Sequence, residues 1–335
     1  MTNMTQTVLA GDVGGTKTFL ALYAVDDAGH MVLVREAPFA SPAYDTLETI
    51  IREFLHPRAE KIEAAVFGLP GPVLDGEVRV TNLPWKLSHS GLAQAVGCSR
   101  VRLMNDLETT AYGSLFLSSN ELLTLNHGKQ RHGTRAVIAA GTGLGQGLLF
   151  WDGVRHWPAA TEGGHTDFAP RTEQEDALLI FLRQRYQRVS YERVLTGSGL
   201  TSIFEFLRED GKRSVAPIVD ERLRTEDPAT VIGESGVSGA CPTCTEAVDL
   251  FLNIYGAQAG NLALAVMALG GVYVGGGIIT KLLPRLATSR FLASFFDKGR
   301  HSTLMAEIPL HVILNPQTSQ LGAAHAAKEL LARGS

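Results

Sequence analysis

Cysteine is scarce in this chain: Cys98, Cys241 and Cys244 are the only three among 335 residues. Three thiols are too few for a disulfide framework. Cys241 and Cys244 have the spacing of a metal or redox pair, but a four-ligand zinc site needs two more ligands and no second pair accompanies them. Two reduced thiols near a helix start are expected. Positive charge is not in excess either. Thirty basic against 34 acidic residues give a formal net charge of −4 and an isoelectric point near 6.2. That balance offers no field for nucleic acid or an anionic membrane, and neither is expected as a partner. An uninterrupted membrane span is missing as well. The longest apolar stretch, residues 259–279, contains Asn261 and six glycines, and reads as a buried helix over 257–269 followed by a strand over 272–274. The first residues, MTNMTQTVLAGD, lack the basic start and long apolar core of a signal peptide, so a cytoplasmic location is expected.

What remains is an ordinary soluble composition, 45% hydrophobic and 19% charged, long enough for two domains and somewhat rich in glycine, with 35. Residues 8–23, VLAGDVGGTKTFLALY, organise the rest. Apolar runs over 8–10 and 19–23 read as buried strands, and residues 12–18 as the turn between them. Glycine lets a backbone turn tightly and approach a ligand closely. Gly14, Gly15 and the Thr16 hydroxyl therefore offer donors for phosphate oxygens. Asp12 stands where a carboxylate could hold a hydrated magnesium ion. The alternative is a plain β-hairpin with a glycine-rich turn.

The pattern returns at residues 135–150, RAVIAAGTGLGQGLLF, with Gly141, Thr142 and Gly143 between two strands. Two strand-turn-strand loops about a domain apart suggest two related halves facing each other across a cleft. A P-loop is excluded, because no Gly-x4-Gly-Lys-Ser/Thr occurs; a Rossmann loop needs a helix where a strand is read here.

Along the chain, residues 31–35 read as a third strand and 44–55 as a helix with Ser41 and Pro42 as start signals. Residues 62–68 form a buried strand ending in the rigid turn Leu69-Pro70-Gly71-Pro72, at the sheet edge where ligands bind in open α/β folds. A strand at 77–81, a short helix at 92–96 and a strand at 101–104 follow. Asn105 and Asp106 end that last strand, with a helix over 107–117 behind them. Such a carboxylate is well placed for fixed catalytic work; capping, which favours the same residues, is the alternative. Residues 160–168, ATEGGHTDF, carry three ionisable side chains among glycines, read as hydroxyl recognition ahead of a metal site. A helix at 173–186, a turn at 196–200 feeding a helix to 208, and a charged surface excursion over 210–227 come next. Gly275, Gly276 and Gly277 after a buried strand allow a flat group such as adenine or ribose onto the backbone. A connecting loop and strand over 301–313 and an amphipathic helix over 320–332 close the chain, the helix returning to the first domain.

Taken in order, LAGDVGGTKT, FGLPGPV, TNLPW, LMNDLETTAYG, AAGTGLGQG, EGGHTDFAP, SYERVLTGSGL, VYVGGGI and ILNPQTSQLGAA resemble segments of the bacterial glucokinase family over nearly the whole chain. The resemblance implies a two-domain α/β fold of the sugar kinase, Hsp70 and actin group (ribonuclease H-like) with an interdomain cleft. The expected small domain spans residues 1–110 and 315–335, and the large one 111–314. It implies phosphorylation of the 6-hydroxyl of glucose with ATP and Mg2+, Asp106 being the catalytic base. Asn105, Asp106, Glu162, His165 and Glu192 match the glucose positions. Gly11, Asp12, Val13, Gly14, Gly15 and Thr16 match the first nucleotide loop, Thr142 and Gly143 the second, and Gly275, Gly276 and Gly277 the adenosine side. A homodimer is also implied. The cysteine-rich zinc motif of the wider repressor, open-reading-frame and kinase group does not follow His165, which argues against its zinc-dependent branch. A kinase for another hexose would keep every motif, whereas a sugar-independent ATPase of the same fold would not need the Glu-Gly-Gly-His and Asn-Asp sets.

Overall fold

The computed structural model describes residues 6–56, 60–209 and 213–332. The first half runs β1 (Gln6–Val13), β2 (Lys17–Val25), β3 (Met31–Ala40), α1 (Leu47–Leu55), β4 (Ala64–Leu69), the ribbon β5 (Glu77–Arg79) and β6 (Lys86–Ser88), α2 (His89–Val96), β7 (Val101–Asn105) and α3 (Asp106–Gly113). The second half runs β8 (Leu122–Asn126), β9 (Arg135–Ala140), β10 (Leu144–Trp151), β11 (His156–Thr161), α4 (Glu173–Arg183), α5 (Gly197–Glu209), α6 (Pro217–Arg222), α7 (Pro228–Ser238) and α8 (Pro242–Ala265). It ends in β12 (Gly271–Gly275), α9 (Gly277–Lys281), α10 (Leu283–Leu286), α11 (Phe291–Phe296), α12 (Ser302–Ala306), β13 (Leu310–Ile313) and α13 (Thr318–Ala332).

The two main sheets repeat one plan. The order β3-β2-β1-β4-β7 is matched by β11-β10-β9-β12-β13, to which β8 adds an edge. In each, three antiparallel strands are joined by two parallel ones. A helix follows the last parallel strand of each set, α3 after β7 and α13 after β13. These two helices lie between the sheets, and apolar residues of both sheets meet around them, including Val8, Val66, Val137 and Tyr273. Their backbones approach so closely that a Cβ on Gly113 would overlap the Thr318 carbonyl, and one on Gly322 the Thr109 carbonyl. The outer faces carry separate cores, one with α1 and α2, the other with α4, α5, α7, α8 and α11.

Several expected boundaries move. Asp12 and Val13 complete β1 while Lys17 and Thr18 open β2, so the turn is only residues 14–16. Pairing continues to Val13↔Thr18 because each added residue gains ladder hydrogen bonds. Ser41 and Pro42 form a 3-10 turn, and α1 starts later, capped by the Thr46 hydroxyl, which accepts the Thr49 N–H at 3.3 Å. The helix after Asp106 stops at Gly113 rather than residue 117. The turn expected at 196–200 is already the first turn of α5. Helix α8 begins at Pro242, far ahead of residue 257, with Cys241 as its cap and Cys244 in its first turn, both free and buried. The charged excursion contains α6, while residues 210–212 lie outside the described set. Helix α13 packs on β1 and β4, as expected of its return, but is buried on most sides rather than amphipathic. No helix among the described residues is long and apolar enough to cross a membrane.

Candidate active site

Strand alternation sets the direction of Asp12. Along β1, Leu9 and Val13 face the outer core whereas Val8 and Ala10 face the helices between the sheets, and Asp12 follows the second series. There the Ser319 hydroxyl, on α13, donates to Asp12 Oδ1 at 2.7 Å. Burial pushes the Asp12 carboxyl up from its usual range, and the Ser319 hydrogen bond opposes that rise.

Asn105 and Asp106 divide the two roles open to them. Asn105 is the cap of α3: its Oδ1 accepts the Leu107 N–H at 2.9 Å, its Nδ2 donates to the Gly71 carbonyl at 3.2 Å, and Glu108 closes a capping box on its N–H. Both polar ends of the Asn105 side chain are thus occupied. Asp106 is the first helical residue and faces a cavity of about 480 Å³, which Asp12, Thr110, Gly275, Gly276, Gly277, Thr280 and Ser319 also line. Burial, then the like charges of Asp12 and Glu162, push its carboxyl up to about 7. A carboxyl poised there can take a proton near neutral pH.

The three ionisable sugar-site candidates group around His165, and Glu162 among them acts on Asp106. His165 Nε2 lies 3.8 Å from Glu162 Oε2, and His165 Nδ1 lies 3.6 Å from Glu192 Oε1. Strand β10 holds this group from behind. The Leu144 N–H donates to Glu192 Oε2 at 3.1 Å, and the Leu144 carbonyl presses on Gly164 where a Cβ would overlap it. Gln146 occupies the equivalent space at Gly163. Arg188 fastens the far side, donating to the His165 carbonyl at 2.6 Å and pairing with Asp167 at 2.6 Å. Asp167, the third ionisable residue of the loop, therefore faces Arg188 rather than Glu162 and His165.

The two glycine turns differ. Residues 141–143 close on a Gly141 N–H to Gly143 carbonyl bond of 2.9 Å; Gly141 and Thr142 line a second cavity of about 1130 Å³, and Gly143 abuts Glu192. That cavity also takes in Gly197, Ser198, Gly233, Lys281 and Gly277, so Gly277 belongs to both spaces. Gly276 has φ +91° and sits against the Ala140 carbonyl where a side chain has no room. In the first turn, Gly14 N–H donates to the Lys17 carbonyl at 2.9 Å, Ser41 Oγ donates to the Gly14 carbonyl at 2.7 Å, and Gly15 neighbours Asn82. Gly14, Gly15 and Thr16 line neither cavity. Gly11 is packed under the Phe67 ring and the Val13 side chain is in the outer core, so from β1 only Asp12 reaches the cavities.

A nucleotide fits this donor set: two cavities joined at a glycine corner, an open Gly277 backbone, and an acidic end at Asp12 and Asp106. Among the described residues no three His, Cys, Asp or Glu side chains converge as a metal cage. The Asp12 carboxylate, lining a cavity it shares with Asp106, suits magnesium, which keeps several waters and takes few protein ligands.

The family model described as Glucokinase matches residues 9–330. A glucokinase of a Nostoc species is 40% identical over 96% of this chain and 99% of its own. The solved glucokinase of an Antarctic psychrotroph superposes with a TM-score of 0.84 at 30% identity, covering 97% of this chain and 99% of that one. A glucokinase of Streptomyces griseus, solved in complex with glucose and AMPPNP, shares the fold at TM-score 0.62 and 21% identity, over 96% and 99% of the two chains.

Proposed function

The chain belongs to the glucokinase family, and on that premise we propose that it transfers the terminal phosphoryl group of MgATP to the 6-hydroxyl of D-glucose, giving glucose 6-phosphate and ADP. The observation that carries the reading is the placing of Asp106, its carboxyl raised to about 7, near Glu162, which His165 links to Glu192, and in one cavity with Asp12 and the glycine corner.

In this reading Asp106 accepts the proton of the sugar hydroxyl as its oxygen attacks. Phosphoryl transfer has a loose transition state, so alignment and charge stabilisation are the main demands on the protein. Glu162, His165 and Glu192 supply acceptors and donors for the sugar hydroxyls, and Asn105 holds the start of α3 so that Asp106 is aimed. Gly275, Gly276, Gly277 and Thr142 line the nucleotide path, with Gly143 beside Thr142 in the same turn. The turn at Gly14, Gly15 and Thr16 would meet the phosphates only after the halves close. Magnesium, when bound, would neutralise phosphate charge, and Asp12 would hold it through its water shell. Closing would also exclude water and limit idle ATP hydrolysis.

The proposed moving bodies are residues 1–110 with 315–335 and residues 111–314, the first crossing falling inside α3. A cytoplasmic homodimer is part of the same reading, and light scattering tests the dimer. ADP release, measured across a panel of hexoses with ATP and Mg2+, tests the function. Glucose should give the highest kcat/KM; preference for another hexose, or equal ADP release without sugar, overturns it.

A further inference from the structure

Behind Asp12 stand two hydroxyls outside the chemistry just described, those of Ser319 and Thr109. Ser319 Oγ donates to Asp12 Oδ1 at 2.7 Å and lies 2.9 Å from Thr109 Oγ1, which in turn lies 2.8 Å from the Asp106 carbonyl. Thr109 is fully buried and Ser319 is 9% exposed.

Proton counting fixes the directions. A hydroxyl has one proton. The acceptors open to Ser319 are a carboxylate and the Thr109 hydroxyl, and the charged acceptor makes the stronger bond. Thr109 then shares its own proton between the Asp106 carbonyl and Ser319 Oγ. The result is an ordered path from the first turn of α3, through two hydroxyls, to one oxygen of Asp12. It ties the helix that bears Asp106 to the strand that bears Asp12, using a residue 307 positions further along the chain than the carboxylate it holds. Gly68 lies against both hydroxyls, and a Cβ there would overlap Thr109 Oγ1.

We propose that Ser319, steadied by Thr109, is the positioning residue that holds Asp12 by one oxygen and leaves Oδ2 to meet the hydrated magnesium ion. The proposal rests on the function proposed above. It gives the start of α13 a part in cation binding, although Ser319 itself does not touch the ion.

The test is calorimetric titration of Mg2+ into protein with a non-hydrolysable ATP analogue, alongside the Mg2+ dependence of turnover. In Ser319→Ala, the Mg2+ concentration for half-saturation should rise about tenfold in both measurements, the loss of one charge-assisted hydrogen bond. Glucose affinity by calorimetry should stay unchanged. Thr109→Val should move the same quantity by a smaller factor, and the double variant should equal Ser319→Ala alone, because the two hydroxyls act in series. Strict additivity, or an unchanged Mg2+ half-saturation in Ser319→Ala, overturns the proposal. Equal weakening of Mg2+ and glucose binding with a lowered Tm also overturns it, by marking a purely structural contact. Asp12→Asn separates the two levels. If it leaves Mg2+ binding intact, the cation reading of Asp12 fails; if it weakens Mg2+ binding while Ser319→Ala does not, only the positioning role fails.

Discussion

The acidic groups that meet at the site are held in two different ways. Asp12 and Asp106 end a strand and begin a helix, are backed by α3 and α13, and have raised carboxyls. Glu162 caps and His165 ends one 3-10 turn, with 53% and 54% of their side chains exposed, and Glu192 lies on another with 30%. The contrast separates two tasks. In the proposed function, the groups that exchange a proton or face a cation are set by burial and by regular structure. In that function the groups that hold the sugar stay within reach of water, kept in register by the Leu144 N–H behind Glu192 and by the Arg188 guanidinium on the His165 carbonyl.

The largest expected effect lies on the buried side. Asp106→Ala should lower kcat by about a thousandfold or more while calorimetry still detects glucose binding; a variant keeping most of its kcat would erase the distinction between the two groups. On the exposed side, Glu162→Gln and His165→Ala should each raise the KM for glucose by roughly ten- to a hundredfold, with a smaller change in kcat. Unchanged KM in both would put the sugar elsewhere.

The backing strand gives the next effect. Gly164→Ala forces a methyl group onto the Leu144 carbonyl, so glucose KM should rise several-fold and stability should fall by about 1–3 kcal/mol. Gly153→Ala, in open space at φ +101°, should cost about 1 kcal/mol through backbone strain and leave the KM unchanged.

With its carboxyl raised to about 7, Asp106 should give kcat/KM for glucose an acid limb near that pH. Raising Mg2+ should move the limb to lower pH, because a cation beside Asp12 cancels one of the charges that raise Asp106. A limb that ignores Mg2+ would separate Asp12 from the cation.

The smallest effect is on stability. The folded carboxyl of Asp106 is raised above an unfolded value of about 3.9, so the folded state binds the extra proton between these two values. Its contribution to stability is therefore greatest below the unfolded value and is lost as pH rises toward 7. Asp106→Asn, which cannot ionise, should show a Tm a few degrees above the parent at pH 8 and little difference at pH 4, measured calorimetrically without ligands.

Much of the frame was legible in the residues. The apolar runs around the two glycine turns, the apolar strand before Asn105 and the Gly-Gly of the Glu162 loop each carry a local signal, because strands need period-two or continuous apolar patterns and tight approaches need glycine. Less legible was which end of a motif does the work. The resemblance takes residues 11–16 as one nucleotide loop, yet Gly11 is packed under the Phe67 ring and Asp12 alone of these six lines the cavity. Alternation along β1 holds that signal, since Asp12 shares a face with Val8 and Ala10. Arg188 carried no local mark, and Gln146 was hidden inside a glycine motif.

By itself the sequence determined where strands, turns and chemically active residues fall, because each depends on neighbours only a few positions away. Tertiary structure alone decided which of them meet. Ser319 finds Asp12 because α13 returns to the first sheet, and Asp106 acquires its raised carboxyl because packing buries it and brings Asp12 and Glu162, from the two halves, near it. Local patterns carry no register between elements hundreds of residues apart; the packing of α3 against α13 supplies it.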